Sequence, residues 1–133
     1  MKFERINPPG IFEHPAFSRI ITVEGPAKIV WFSGQTPQNP DLSCVAPGNY
    51  QAQYIDVMNK LQIQLEAIGA TWDNVTFRRT YAISVPKLRA AMNLPTTPKY
   101  FGDKKPCSTF IGVTELADPD FLLEIEIVAA IPA

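Results

Sequence analysis

The residues that build metal centres and disulfide frameworks are scarce in this sequence. Its 133 residues include two cysteines and one histidine, and Cys44 and Cys107 stand far apart, with no CxxC pair. A structural zinc site needs four Cys or His ligands, which His14 and two separated thiols do not provide. We therefore expect two free thiols, no metal and no other cofactor.

Long apolar runs are also missing. No stretch approaches the roughly 20 apolar residues that a membrane-spanning helix requires. The first five residues, Met-Lys-Phe-Glu-Arg, lack the apolar core of a signal peptide. These absences favour a cytoplasmic protein without a membrane partner.

Neither sign of charge is in excess. The chain has 12 Lys and Arg residues against 13 Asp and Glu residues, for a net charge of −1. The basic residues are scattered and do not form the stripe that follows a phosphate backbone. Nucleic acid is therefore not expected as a partner.

The sequence contains enough apolar material for a single core. Hydrophobic residues make up 46% of the chain and charged residues 19%, which is ordinary for a globular domain of this length. We predict one domain over residues 1–133. Prolines and glycines in Asn7-Pro8-Pro9-Gly10 and at Pro15 predict that residues 1–17 form an irregular N-terminal arm.

Strand patterns lie towards both ends of the chain. Residues 19–24 and 27–33 are rich in β-branched and aromatic side chains and are separated by Gly25-Pro26, which predicts a hairpin. Residues 105–113 and 122–128 predict two further strands that neighbour each other, joined through a turn.

The last of these strands carries two glutamates on one face. A period of two places Leu123, Ile125 and Ile127 on one side, and Glu124 and Glu126 on the other. Because like charges repel, the glutamate face should border a cleft, an interface or a basic neighbour.

The middle of the chain predicts a helix, a strand and a short helix. The first helix begins after Asn49 as N-cap and ends at Gly69. Its apolar residues recur at helical spacing and predict a core stripe: Ile55, Met58, Leu61, Leu65 and Ile68. Residues 74–83 form the strand, and Ser84 caps the short helix.

The order β-β-α-β-α-β-β predicts an α+β fold with a single mixed sheet and two helices on one face. The uncovered face would keep large side chains from Val30 or Trp31, Phe77 and Phe110. An exposed apolar face of that size usually marks an assembly surface, so the pattern predicts a homo-oligomer.

Several motifs together resemble one protein family. They are Ser33-Gly34-Gln35-Thr36-Pro37, Gln53 in a helix that ends in Ala67-Ile68-Gly69-Ala70, Pro106-Cys107-Ser108-Thr109, and Glu124-Ile125-Glu126 with Ala129. Their order and spacing resemble the Rid (reactive intermediate or imine deaminase) family, also called the YjgF or L-PSP endoribonuclease family. The likeness extends from about Phe17 to the end of the chain.

This resemblance implies a fold, an assembly and a type of reaction. It implies a chorismate-mutase-like homotrimer around a central barrel, with a small-molecule cleft at each subunit interface. Active members of the family hydrolyse enamines and imines derived from amino acids, and release ammonia and a 2-oxo acid. The implied catalytic residue is Glu124, which would orient or activate the attacking water.

The same resemblance implies a set of ligand-binding positions. They are Phe17, Ser33, Gly34, Asn93, Cys107, Ser108 and Thr109. Two of them depart from the family pattern, because Ser108 stands where the family has a carboxylate-binding arginine and Phe17 stands where it has a tyrosine. A serine hydroxyl does not neutralise a carboxylate, so simple 2-imino acids are expected to be poor substrates.

The residues near these positions have competing interpretations. Glu124 is either a general acid or base, or a salt-bridged strand residue, and Glu126 is expected to be structural. Cys107 has no visible histidine partner, which favours an ordinary buried thiol over a nucleophile. Arg78 and Arg79 are the candidates to replace the absent cation, with pairing to the glutamates as the alternative.

Three functions remain open at this stage. The first is an enamine or imine hydrolase of the deaminase type. The second is a non-catalytic trimer that binds or senses a metabolite in the same cleft. The third and weakest is the ribonuclease activity sometimes attached to the family, which the near-neutral charge disfavours.

Overall fold

Six strands and two α-helices make up the structure, a computed structural model that describes residues 1–133. In chain order the elements are β1 (Lys2–Ile6), β2 (Ile20–Glu24), β3 (Ala27–Trp31), α1 (Tyr50–Ala67), β4 (Val75–Ala82), α2 (Val85–Met92), β5 (Cys107–Gly112) and β6 (Leu123–Pro132). A single 3₁₀ turn, Trp72–Asn74, leads into β4. None of the helices is long and apolar enough to cross a membrane.

The strands form a four-stranded and a two-stranded sheet. The larger sheet has the order β3-β6-β4-β5, in which β4 and β5 are parallel and the other pairs antiparallel. The longest strand, β6, has buried Leu123, Ile125 and Ile127, which suits a central position. The predicted α+β class with a mixed sheet and two helices on it is confirmed, although β1 and β2 stand outside that sheet.

The prediction that residues 1–17 form an irregular N-terminal arm is wrong for the first of these residues. β1 pairs antiparallel with β2, with Ile6 opposite Ile20. The prolines begin only at Pro8, so residues 2–6 are free to extend. Arg5 fixes the strand to the domain, because its Nη2 donates to the Asp73 carbonyl at 2.8 Å and its Nε to the Lys105 carbonyl at 3.1 Å.

Two predicted strand pairings are also wrong. β2 and β3 do not form a hairpin, since β2 pairs with β1 and β3 pairs with β6. Nor are β5 and β6 neighbours, because β4 lies between them. The connection from β5 to β6, residues 113–122, is longer than the 2–5 residues typical of hairpins, which permits this crossover.

Both helices begin where the sequence predicts. The Asn49 side chain accepts a hydrogen bond from the Ala52 amide at 2.9 Å, and the Ser84 side chain accepts one from the Lys87 amide. The buried stripe of α1 is rotated from the prediction: Ile55 is only partly buried and lies outside the core. The buried apolar side chains of α1 are Tyr54, Val57, Met58, Leu61 and Leu65.

The two faces of the larger sheet have different surroundings. The helix face carries Leu123, Ile125 and Ile127, which are buried in one core with α1. The outer face has no covering element and presents Trp31, which is 75% exposed, with Phe77 and Val128 nearby. An exposed apolar residue next to others on an uncovered sheet face is typical of an interaction surface.

Candidate functional site

Glu126 on the outer face is a paired, structural carboxylate. Arg79 lies opposite it in the β4–β6 register. The Arg79 Nη1 lies 2.5 Å from Glu126 Oε1, and the Tyr81 hydroxyl donates to the same oxygen at 3.1 Å. The ion pair with Arg79 neutralises the charge of Glu126, which supports the structural role expected for this residue.

Glu124 lies on the same face but has no cationic partner among the ion pairs of the chain. Its carboxylate is half-buried against the Gly34 backbone, where a Cβ added to Gly34 would stand 2.0 Å from Oε2. The loop is fixed there because Gln35 exchanges two backbone hydrogen bonds with Ile125, at 2.8 and 3.1 Å. A side chain at residue 34 would therefore require the Glu124 carboxylate to move from its present position.

The electrostatic setting of Glu124 suits proton transfer. Burial, and then the negative charge of Glu126, raise the pKa of Glu124 above its ordinary value. A carboxylate whose pKa is raised towards neutrality is a better proton acceptor, and its acid form a better donor at physiological pH. The like-charge pair predicted from the two-residue period is therefore present, with only one member neutralised.

Cys107 and Thr109 on β5 also belong to the outer face. They lie opposite Phe77 and Arg79 in the parallel register. Burial raises the pKa of the Cys107 thiol, and Arg5 opposes this only in part. The Cys107 Sγ lies 3.8 Å from the Arg19 carbonyl, its hydrogen-bond partner. A thiol held in the neutral form without a base is a poor nucleophile.

Ser108 points to the helix face, away from Glu124. Its register partner is Arg78, whose Nε and Nη2 lie 3.4 and 3.3 Å from Ser108 Oγ. The Arg78 guanidinium also lies 4.8 Å from the centre of the Phe101 ring. Arg78 rather than Arg79 thus contacts Ser108, from the adjacent strand.

A cavity of about 300 Å³ opens beside Arg78. Asn93, at the C-cap of α2, is among its lining residues. The lining residues are Ala16, Tyr54, Arg78, Met92, Asn93, Pro98, Lys99, Tyr100, Phe101 and Lys105. Three of these are cationic and none is acidic. We call this space the Arg78 cavity.

Phe17 lies in the N-terminal arm and borders a different space. Its ring stacks on His14 with centroids 4.3 Å apart, and the Arg19 guanidinium lies 5.1 Å from the ring centre. The cavity there, of about 540 Å³, is separate from the Arg78 cavity, although Lys105 lines both. Ala16, the neighbour of Phe17, is part of the Arg78 cavity wall.

Within a single chain, the predicted site residues therefore fall into separate groups. Glu124, Gly34 and the exposed Ser33 lie together at the outer face, while Ser108 and Asn93 belong to the helix face. Glu124 lines neither the Arg78 cavity nor the cavity at Phe17, and it does not line the spaces beside Phe77 and Leu122. The monomer does not bring the carboxylate and the Arg78 cavity together.

Sequence reasoning missed part of the cavity wall. Tyr54 was assigned to no site, although burial raises its pKa to about 12 and it faces the cavity. Lys105 was missed as well. Its position directly before the Pro106-Cys107-Ser108-Thr109 motif was an available signal.

Comparison with known proteins agrees with this fold. The family model described as endoribonuclease L-PSP matches residues 13–131. A search among curated proteins found no significant match. The Rid-family protein YyfB of Yersinia pestis is 29% identical, with a TM-score of 0.80, over 98% of this chain and 100% of its own.

Two further structures support the same relationship. Rv2704 of Mycobacterium tuberculosis, a member of the YjgF/YER057c/UK114 family, is 25% identical with a TM-score of 0.61, over 98% of this chain and 100% of its own. Yeast Mmf1, at 20% identity and a TM-score of 0.65, shares the fold over 96% of this chain and 98% of its own. Because the family model spans nearly the whole sequence, this chain belongs to the endoribonuclease L-PSP family, which is also called the Rid or YjgF family.

Proposed function

We propose that the protein is a small-molecule hydrolase of the deaminase type, which cleaves the C=N bond of an imine or of the imine tautomer of an enamine. The observation that carries this proposal is Glu124. Its half-buried carboxylate has a raised pKa and no cationic partner, whereas Arg79 pairs with its neighbour Glu126. A free carboxylate next to an exposed loop is available to a water molecule and a substrate.

The reaction needs one water, an imine protonated on nitrogen, and three proton transfers that all involve Glu124. Glu124 accepts a proton from water as the water oxygen bonds to the imine carbon, and the C=N π electrons move to nitrogen, which becomes a neutral amine. The protonated Glu124 then gives its proton to this nitrogen, and ammonia leaves as the hydroxyl proton passes back to the carboxylate and the C=O bond forms. The same carboxylate serves as base in the first step and, once protonated, as acid in the second.

We further propose that the site is completed by a second copy of the chain in a homotrimer. The outer face exposes Trp31, next to the partly buried Phe77 and Val128, without any covering element. Glu124 and the Arg78 cavity lie on opposite faces of one sheet, so a single chain does not present both to one ligand. A closed ring of subunits that pack through unlike surfaces would place the outer face of one chain against its neighbour.

The substrate is expected to differ from a simple 2-imino acid. Ser108 occupies the position from which the family arginine clamps the substrate carboxylate, and a serine supplies at most one neutral hydrogen bond there. Phe17 in place of a tyrosine removes a further hydroxyl. Losing a bidentate guanidinium costs about 2–5 kcal/mol of recognition, and each 1.4 kcal/mol is about tenfold.

The alternative is a trimer that binds a metabolite without catalysis. It is favoured by the same two substitutions, which remove ligand contacts while the cavity at Arg78 remains open. Ribonuclease activity, which the name of the matched family model mentions, is not favoured for this chain because its net charge is −1.

Ammonia release from a panel of freshly generated enamines and imines tests the proposal. The panel should include 2-iminobutanoate, neutral enamines and imines that carry a second carboxylate. We expect at least one compound other than 2-iminobutanoate to be hydrolysed well above its spontaneous rate. If no compound is accelerated while calorimetry still detects ligand binding, the protein is a binding trimer instead.

A further inference from the structure

We infer that Arg78 forms an anion-binding subsite that binds a carboxylate group of the ligand. The guanidinium reaches this subsite from β4 instead of β5. The identity of the ligand as a substrate depends on the proposed function, but the binding itself does not. The subsite consists of the Arg78 guanidinium, which contacts Ser108, and of Asn93 and two lysines in the same cavity wall.

The first observation is a largely buried cation without a counter-ion. Arg78 belongs to none of the ion pairs of the chain, and its side-chain hydrogen-bond partner is the neutral Ser108 hydroxyl, at 3.3 and 3.4 Å. Burial lowers the pKa of Arg78, and only the Tyr54 phenol opposes this shift. A charge removed from water is costly unless an opposite charge meets it, so a bound anion would relieve this cost.

The second observation is the charge of the cavity wall. Arg78, Lys99 and Lys105 line it, and no Asp or Glu does, although the whole chain has a net charge of −1. The Lys99 Nζ lies 3.2 Å from the Met92 carbonyl and the Lys105 Nζ 3.5 Å from the Phe101 carbonyl. Neither lysine is neutralised by a carboxylate there, so the cavity has a positive potential that selects anions.

The third observation is that the guanidinium is held in place before any ligand binds. The Phe101 ring lies 4.8 Å from it, within the range of a cation–π contact. Ser108 fixes one edge, because both Nε and Nη2 point to its hydroxyl. An arginine that is already ordered loses little entropy when a carboxylate accepts two of its N–H groups, which favours binding.

The charge of the cavity wall defines the class of ligand. The Arg78 guanidinium extends from β4 and lies against the Ser108 side chain on the neighbouring strand β5. Lys99 and Lys105 add two further positive charges to the same wall. Three cations favour a ligand with more than one carboxylate group, as in an imino dicarboxylic acid.

Isothermal titration calorimetry with the assembled, full-length protein tests this subsite. The probes are 2-oxoglutarate, the shorter 2-oxobutanoate, and the uncharged 2-oxobutanamide. We expect 2-oxoglutarate to bind more tightly than 2-oxobutanoate, and the amide to show no measurable binding. Failure of the wild-type protein to bind either carboxylate, or equal affinity for the amide, would overturn the inference.

Three variants distinguish a role of Arg78 in ligand binding from a role in folding. Arg78→Met keeps a long side chain against Phe101 and removes the charge, so it should weaken 2-oxoglutarate binding by about tenfold or more. Arg78→Lys restores a cation without the fork and should recover part of this loss. The exposed Arg89, on α2 and outside the Arg78 cavity, gives the matched control Arg89→Met, which should bind as the wild type does.

The outcomes distinguish this inference from the proposed function. Tight 2-oxoglutarate binding that depends on Arg78, without ammonia release from any enamine or imine, would retain the subsite and refute the hydrolase. Hydrolysis that is unaffected in Arg78→Met, with an unchanged KM for anionic substrates, would retain the hydrolase and refute the subsite. If Arg78→Met does not fold, Arg78→Lys provides the test. The subsite would then be refuted if Arg78→Lys and the wild type bound all three probes, including the amide, with equal affinity.

Discussion

Arg78 and Arg79 are adjacent on β4 but have opposite surroundings, and the two faces of the sheet differ in the same way. On the outer face Arg79 is neutralised by Glu126, and Glu124 remains without a cation. On the helix face Arg78 remains without an anion. The comparison shows that a shift of one residue along β4 places an arginine on the opposite face of the sheet. On one face the arginine forms an ion pair within the fold, and on the other it is available to a ligand.

The same comparison identifies the missing partners of the two faces. The outer face has an unneutralised carboxylate and uncovered aromatic residues, while the helix face has an unneutralised cation in a cavity. In an assembly, a second copy of the chain would bring Glu124 of one chain close to Arg78 of its neighbour. Variants of the outer face test this comparison, in order of decreasing expected effect.

The largest effect is expected from Glu124→Gln. The amide keeps the volume and most of the hydrogen bonding but accepts no proton, so kcat for ammonia release should fall by about 10²–10⁴-fold. The exposed Glu115 provides a matched control, since Glu115→Gln should leave kcat unchanged. Full activity in Glu124→Gln would exclude this carboxylate as the base.

A smaller but still large effect is expected from Trp31→Asp on the outer face. A buried tryptophan at an interface commonly contributes about 2 kcal/mol or more, which is roughly a 30-fold change in association. Sedimentation velocity should show dissociation to smaller species at micromolar concentration. Ile63 on α1 is 65% exposed, and Ile63→Asp should sediment as the wild type does. A Trp31→Asp protein with unaltered assembly would place the interface elsewhere.

An intermediate effect is expected from Gly34→Ala. The added Cβ would stand 2.0 Å from Glu124 Oε2, so the flexible end of the glutamate has to move. Because that end is flexible, we expect kcat to fall by about tenfold, less than the roughly 100-fold that a 1 Å misplacement can cost, while the melting temperature should change little. Gly102→Ala is the control, because a Cβ there meets no atom within 4 Å. Unchanged kcat would indicate that the position of the carboxylate is unimportant.

The smallest effect concerns the pH dependence of stability. Because the native pKa of Glu124 is raised, protonation favours the native state. The resulting stability is fully present below the ordinary glutamate pKa and is lost as the pH rises through the raised native value. Glu124→Gln should therefore gain stability relative to the wild type between pH 4 and pH 7. Glu126→Gln, which leaves Arg79 unpaired, should instead be less stable than the wild type at pH 7. Thermal melts at each pH provide the measurement.

Local features of this structure were predictable from the sequence, and pairings between distant segments were not. The caps Asn49 and Ser84 each act on an amide three residues away, and the alternation along β6 depends on neighbouring residues alone. Strand order depends on which edges meet in the folded core, so β4 between β5 and β6 was not foreseen. For the same reason the β1–β2 pairing was missed.

The candidate site follows the same division. The position of Glu124 on the same sheet face as Glu126 was predictable from the two-residue period, while the departure from the family pattern at Ser108 stays a prediction. The contact of Arg78 with Ser108 requires the parallel β4–β5 register, which no local pattern contains. The cavity wall joins residues as distant as Ala16 and Lys105, which only the complete fold brings together.

The most direct test of the central claim, that each site combines opposite faces of two chains, is a subunit-mixing experiment. Glu124→Gln and Arg78→Met proteins are mixed in equal amounts, dissociated and reassembled, and ammonia release is measured on the substrate that the wild type hydrolyses fastest. If each site takes Glu124 from one chain and Arg78 from its neighbour, random reassembly restores about a quarter of the sites, with activity well above either parent. Activity no greater than the mean of the two parents would contradict the account.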